Sequence, residues 1–269
     1  MAGNDILMER QGAIGLITLN RAERRNAIRY AGWQGLAAAV RALGTDPTIR
    51  VIVIRGAGEE AFASGADISE FPTFRSTHSQ AAVYHDAVTD ALAAISNVEQ
   101  PVIAMIHGYC IGGGCELAVA CDLRIADEHS RFGIPSAKLG VVLGVEELRA
   151  LLYLVGMAAA KDILLSGRIL DAAEALRIGL VNQIVPRADL LATTMVLAER
   201  IASHSPVALA STKVLLDRIA HGDNPYDIAT TYANFNLRAS ASAHYQENVR
   251  AFLEKRPPRA TDSTPQEPR

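Results

Sequence analysis

The sequence predicts an α/β fold in which short parallel strands alternate with helices to about residue 185, followed by an all-helical C-terminal subdomain. Three observations predict it. Apolar runs rich in β-branched residues, RVIVIRG (50–56) and VIAMI (102–106), are short and bounded by Gly or Pro, as buried strands are. Stretches apolar at helical spacing separate them. From Asp189 onward only helical patterns remain. Strand–helix alternation of this kind gives parallel strands joined by right-handed crossovers. A chain of 269 residues, 49% hydrophobic and 20% charged, can bury one large core, with room for a small appendage.

In order, residues 5–9 and 13–20 read as two strands joined at Gln11-Gly12 in a hairpin. Four arginines crowd residues 21–29, and a helix follows from Ala31 to Leu43, broken by Asp46-Pro47. After the strand at 50–56, FASGADISEF (62–71) reads as a small-residue turn, and a helix covers 78–97. The stretch from Pro101 to Ala126 organises the rest: strand, the triple glycine Gly112–Gly114, a short helical segment Cys115–Ala120 bearing Glu116, and a second strand at 122–126. A strand at 131–133 and helices at 146–155, 157–166 and 171–178 come next. LVNQIVP (180–186) reads as a strand, and helices at 189–203, 206–220, 225–239 and 242–254 close the chain. The division expected is 1–190 for the α/β core, 191–255 for the helical region, and a polar, proline-rich tail at 256–269, expected to be disordered.

Composition excludes several functions. A net charge of −3 with no long basic run argues against nucleic-acid binding. The three cysteines, Cys110, Cys115 and Cys121, lie within one stretch and lack partners at metal-ligand spacing, so buried, reduced thiols of a cytoplasmic protein are expected and no metal site. No apolar stretch reaches the roughly 18 residues of a membrane span, and MAGNDILMER has no signal-peptide core. A soluble, intracellular protein is the expectation.

Two small-residue turns each follow a buried strand: Ala63-Ser64-Gly65-Ala66-Asp67 and Gly112–Gly114. Ligands of parallel sheets sit at the carboxyl ends of neighbouring strands. Two such turns side by side would each lend a backbone N–H to one oxygen, the geometry that stabilises an enolate or tetrahedral oxyanion. Tight packing alone would use the same residues. Nucleotide-phosphate fingerprints of the GxGxxG and GxxxxGK[ST] kinds are missing, which disfavours nucleotide cofactors.

AFASGADISEF followed by PVIAMIHGYCIGGGCELAVACDLRIA, then RFGIP and AKLGV, resembles the enoyl-CoA hydratase/isomerase (crotonase) superfamily. The likeness runs from LITLNRAERRNA to YQENVRAFLEKRPP. It implies a spiral of ββα units, a homotrimer or dimer of trimers built through the C-terminal helices, and an acyl-CoA thioester substrate whose coenzyme A makes any further cofactor unnecessary. By motif it implies that the N–H groups of Ala66 and Gly113 hold the thioester oxygen. Ser64, Asp67, Ile68 and Gly112 would flank the acyl-CoA, Arg24 and Arg25 would run along the CoA chain, and Phe252 and Lys255 would reach its nucleotide end. The arginines equally suit a solvated loop, and Lys255 a helix-end surface lysine.

Glu116 matches one of the two glutamates of the hydratases, where a carboxylate activates water for attack at C3 and a proton is delivered to C2. The second glutamate is absent: the motif reads Phe132-Gly133-Ile134-Pro135-Ser136, and Ser136 stands in its place. Glu146, or less favourably Glu147, is expected to supply the missing carboxylate from the start of the next helix, although first-turn acids also serve the helix dipole. His107 is expected to be structural and His85 to be a minor pocket residue. Enoyl-CoA hydration is therefore the expected activity. The alternatives are isomerisation, decarboxylation or thioester hydrolysis with one carboxylate, or acyl-CoA binding without turnover.

Overall fold

Both faces of the main sheet are covered, which explains the continuous apolar runs of its strands. The computed structural model describes residues 5–257. Its strands are β1 (Ile6–Gln11), β2 (Ile14–Leu19), β3 (Val51–Gly56), β4 (Ala61–Ala63), β5 (Val102–Ile106), β6 (Tyr109–Ile111), β7 (Leu123–Asp127), β8 (Arg131–Gly133), β9 (Leu170–Asp171) and β10 (Gln183–Val185). Six form one sheet in the order β1-β2-β3-β5-β7-β10, parallel except for the β1–β2 hairpin. Alternate residues feed two cores. Val51, Val53, Ile103 and Met105 point into one, and Ile52, Ile54, Val102, Ala104 and Ile106 into the other.

The remaining strands make a second, smaller sheet in the order β4-β6-β8-β9, with β4, β6 and β8 mutually parallel. Each of these three follows directly on a main-sheet strand: β3 runs into β4, β5 into β6, and β7 into β8. A helix or pair of helices closes each unit. The helices are α1 (Tyr30–Thr45), α2 (Phe71–Phe74), α3 (His78–Asn97), α4 (Gly113–Ala120), α5 (Ser136–Leu139), α6 (Val145–Ser166) and α7 (Ala172–Arg177). This is the ββα spiral that the resemblance implied. The two turns noted in the sequence therefore leave β4 and β6 of the small sheet, whose three-residue strands the hydrophobic pattern did not reveal.

Helix α3 lies between α1 and α4, and α4 lies against α6. Thr77 and Gln80 form a reciprocal capping box that starts α3. Helix α6 breaks at Gly156, where φ is 76° and ψ 166°, so its two halves are the two helices read at 146–155 and 157–166.

The chain ends in α8 (Leu190–Ala202), α9 (Pro206–His221), α10 (Pro225–Ser240) and α11 (Ala243–Leu253). Leu190 and Ala198 of α8 join the core on the outer face of the main sheet, so a boundary at 190/191 meets a helix bound to that sheet. By contrast α9 stands off α4 and α6 across a cavity of about 1280 Å³. Large apolar side chains stay exposed on α9–α11, among them Leu237 and Phe252 at 69% and 83%. The tail expected at 256–269 lies, beyond Pro257, outside the described residues. No described helix is long and apolar enough to cross a membrane.

Candidate active site

The loop after β2 fixes the first turn. Ser64 N–H donates to Arg25 O at 2.9 Å, Ile28 N–H to Gly65 O at 2.8 Å, and Asp67 N–H to Ile28 O at 2.9 Å. Arg25 and Asn26 hold that loop in left-handed conformations. Asn26, buried, donates from Nδ2 to Ala57 O and Ala61 O at 2.9 and 2.7 Å and accepts from Arg21 N–H at 3.0 Å. Ala66 N–H is left without a hydrogen bond among the described residues.

The second turn is held from the other side. Gly112 N–H donates to Gly133 O at 2.8 Å, and Gly112 O accepts from Cys115 N–H and Glu116 N–H as α4 begins. Gly113 is the first residue of α4, so its N–H has no intrahelical acceptor. The turns touch: a Cβ on Gly65, whose φ is +96°, would lie 3.0 Å from Gly113 N, and one on Gly113 would lie 3.5 Å from Ala66 N. Only glycine fits at 65. Two unbonded N–H groups thus flank one small space, at the positive end of α4. The indole of Trp33, fully buried, packs 3.0 Å beneath the Cβ position of Gly113.

One turn along α4, Glu116 is partly buried. Burial pushes its carboxyl up to about 7, the negative charge of Glu147 adds to the rise, and the Arg75 guanidinium opposes it. Glu147 is 8% exposed at the start of α6. Its Oε1 lies 4.0 Å from His85 Nδ1, and His85 Nε2 lies 3.4 Å from Thr89 Oγ1. Gly144 makes this possible: a Cβ there would overlap Glu147 Oε2 and lie 2.8 Å from His85 Cε1.

Glu146 lines the same cavity as Glu116 and Glu147 but sits differently. Its side chain is 56% exposed and faces Arg149 and His221 at 3.5 Å each. Adjacent residues on a helix point about 100° apart, and the phase of α6 turns 147 inward. Ser136 begins α5 and is partly buried, its carbonyl accepting from Val141 N–H at 3.0 Å.

Asp67 is committed locally. Burial opposes its ionisation, but hydrogen bonds from Ser69 and Arg21 hold its carboxyl below the usual range. The Arg21 bond is 2.8 Å. Ile68 is 53% exposed beside it. Ser64 Oγ donates to Arg24 O at 3.4 Å. Arg24 is exposed, while Arg25 pairs with Glu60 at 3.0 Å and lies 5.3 Å from the Tyr109 ring centre. Phe252 on α11 and Lys255 just beyond it are exposed, and no described bond ties them to either turn. His107 is buried after β5, where its carbonyl accepts from Phe62 N–H at 2.7 Å and so anchors β4. All three cysteines are buried and free. Trp33 and Arg75 escaped the sequence reading. The only signals were a lone tryptophan at an apolar helical position and an arginine beside two phenylalanines in FPTFR.

The enoyl-CoA hydratase/isomerase family model matches residues 9–263 of the chain. A short-chain-enoyl-CoA hydratase of Clostridium acetobutylicum is 32% identical over 94% of this chain and 96% of its own length. A probable enoyl-CoA hydratase of Mycobacterium bovis is 38% identical over 97% and 99%. The crystal structure of an enoyl-CoA hydratase/carnithine racemase from Magnetospirillum magneticum superposes with a TM-score of 0.89 at 39% identity, covering 97% of this chain and 96% of that one.

Proposed function

The chain belongs to the enoyl-CoA hydratase/isomerase family, and from that premise we propose that it adds water across the 2,3 double bond of an enoyl-CoA thioester. The observation that carries this reading is the pair of unbonded N–H groups, Ala66 and Gly113, opening beside two close carboxyl groups, Glu116 and Glu147. The thioester oxygen accepts from both N–H groups, which draws electron density from C3 and stabilises the enolate formed when water attacks there. One such donor is worth about 10²–10³ in rate.

Two neighbouring acids divide the remaining work. Glu116, raised to about 7, carries a proton for much of the time at neutral pH. The charge of Glu147 that raises it is a carboxylate able to take the proton of the attacking water. Glu116 then delivers its proton to C2, and exchange of protons with solvent resets the pair. Glu147 fills the role left by Ser136. That second carboxylate favours hydration over isomerisation, which needs one base alone.

Contacts to the CoA portion are assigned to the Ser64–Ile68 backbone, Gly112, Arg24 and Arg25, with Phe252 and Lys255 contributing at the nucleotide end in an assembly. Exposed apolar side chains on α9–α11 support a homotrimer or dimer of trimers. Coenzyme A enters as part of the substrate, with no separate cofactor, and a cytoplasmic location suits the free, buried cysteines. Hydration of crotonyl-CoA, followed by loss of the enoyl absorbance, tests the reading. Wild-type turnover that collapses in Glu116→Gln supports it. Absence of turnover on any 2-enoyl-CoA, with tight acyl-CoA binding retained, would leave a binding protein instead.

A further inference from the structure

Arg75 is a cation whose described partners are aromatic rings alone. It follows α2, on the chain segment that leads from the Ala66 turn to α3, and is partly buried. Its guanidinium lies 4.7 Å from the centre of the Phe71 ring and 5.6 Å from that of Tyr84. No ion pair or side-chain hydrogen bond engages it among the described residues. The acids on its own segment are occupied. Asp67 is bound by Arg21 at 2.8 Å, and Glu70 caps α1 by accepting from Tyr30 N–H at 2.7 Å.

The rings beneath it pack into the core that also holds Trp33, the indole under Gly113. Tyr84 is buried on α3 next to His85, which faces Glu147. Phe71 meets Tyr84 edge-on at 5.9 Å, and Tyr30 stacks on Phe74 at 5.0 Å. Arg75 is close enough for its charge to act on Glu116. Stacking satisfies the flat faces of a guanidinium but leaves its edge, with five N–H donors, unused. A cation held rigidly over an apolar floor, with its donors free, is a receptor for a planar anion, and a carboxylate matches its fork.

Building on the hydratase reading, we propose that Arg75 binds a carboxylate at the far end of the acyl chain, so that the substrates are mono-CoA thioesters of 2-enedioic acids. The thioester oxygen is held between Ala66 and Gly113 while the distal carboxylate takes the guanidinium edge. Phosphates of CoA are the competing anions, and they are common to every thioester.

The test compares the mono-CoA thioester of hex-2-enedioic acid with hex-2-enoyl-CoA, which differs in lacking the terminal carboxylate. Wild-type kcat/KM is expected to favour the carboxylated thioester by at least about 30-fold, roughly what a hydrogen-bonded recognition group supplies. In Arg75→Gln that preference is expected to fall to near unity, with Arg75→Lys intermediate. Equal wild-type rates on the two thioesters overturn the proposal, and so does an equal loss on both in Arg75→Gln, which would mark a CoA-phosphate contact or an effect on Glu116 alone. Affinities for the saturated analogues, adipyl mono-CoA and hexanoyl-CoA, decide the matter without turnover. Tighter adipyl binding upholds the carboxylate site even if the hydratase reading fails, and equal binding removes it.

Discussion

The two ends of α4 are built on opposite principles. At its C-terminus buried cations answer the polar groups around the helix end. Arg124, 3% exposed, donates to Cys121 O, to Ala118 O at 3.4 Å and to Leu180 O at 2.9 Å. Asp122 accepts from Val102 N–H at 2.6 Å and from Lys213 Nζ at 2.9 Å, and Lys213 also donates to Ile95 O at 3.0 Å. Cations there suit the negative end of the helix dipole. At the N-terminus, eight residues away, an N–H has no acceptor and two acids crowd each other. One end binds α4 into the fold and the other is left unsatisfied for a substrate to complete. Stability and activity should therefore separate along a single short helix.

Four substitutions test that separation. Glu116→Gln should lower kcat by about 10³-fold or more, at the upper end of general acid–base effects. It should also stabilise the fold at higher pH. The folded pKa of about 7 exceeds the ordinary 4.5, so wild-type stability falls as pH rises through that window, while the glutamine variant escapes the loss. At pH 8 the advantage should reach up to about 3 kcal/mol, read from denaturant unfolding. Unchanged or lower stability at pH 8 would contradict the burial argument.

Glu147→Gln should lower kcat by about 10²-fold. Removing its charge should also move the pH–rate limb near 7 to lower pH, because that charge helps to raise Glu116. A profile that stays in place would detach Glu147 from the pair. Lys213→Met strands Asp122 at the closed end and should cost about 3 kcal/mol of unfolding free energy with kcat held within a few-fold. A large loss of kcat in the folded variant would show that the two ends are coupled. Glu146→Gln, on an exposed carboxylate, should leave kcat within about 3-fold and stability within about 0.5 kcal/mol.

The sequence made the main sheet legible because both of its faces are buried, so β3 and β5 read as unbroken apolar runs. It revealed β8 of the small sheet but concealed β4 and β6, because Ala61–Ala63 and Tyr109–Ile111 are too short to show a period. Glycine spacing pointed to the two turns, since close backbone approach demands glycine wherever it occurs. It could not separate Glu146 from Glu147, because one step along a helix is settled by the phase of its packing. Arg75 was invisible for a related reason. Its lack of a charged partner depends on Asp67 and Glu70 being engaged by residues 46 and 40 positions away.

Gly144 gives the site a particular evolutionary fragility. Its backbone angles, φ −71° and ψ 166°, are ordinary for any residue. A single methyl group there would disturb no turn and leave both N–H donors untouched, yet it would occupy the space of the Glu147 carboxylate. An alanine at 144 would push that carboxylate aside, and on the hydratase reading it should lower kcat no further than Glu147→Gln does, by about 10²-fold. A lineage could thus weaken the pair of carboxyl groups from a position that is itself neither acid nor N–H donor.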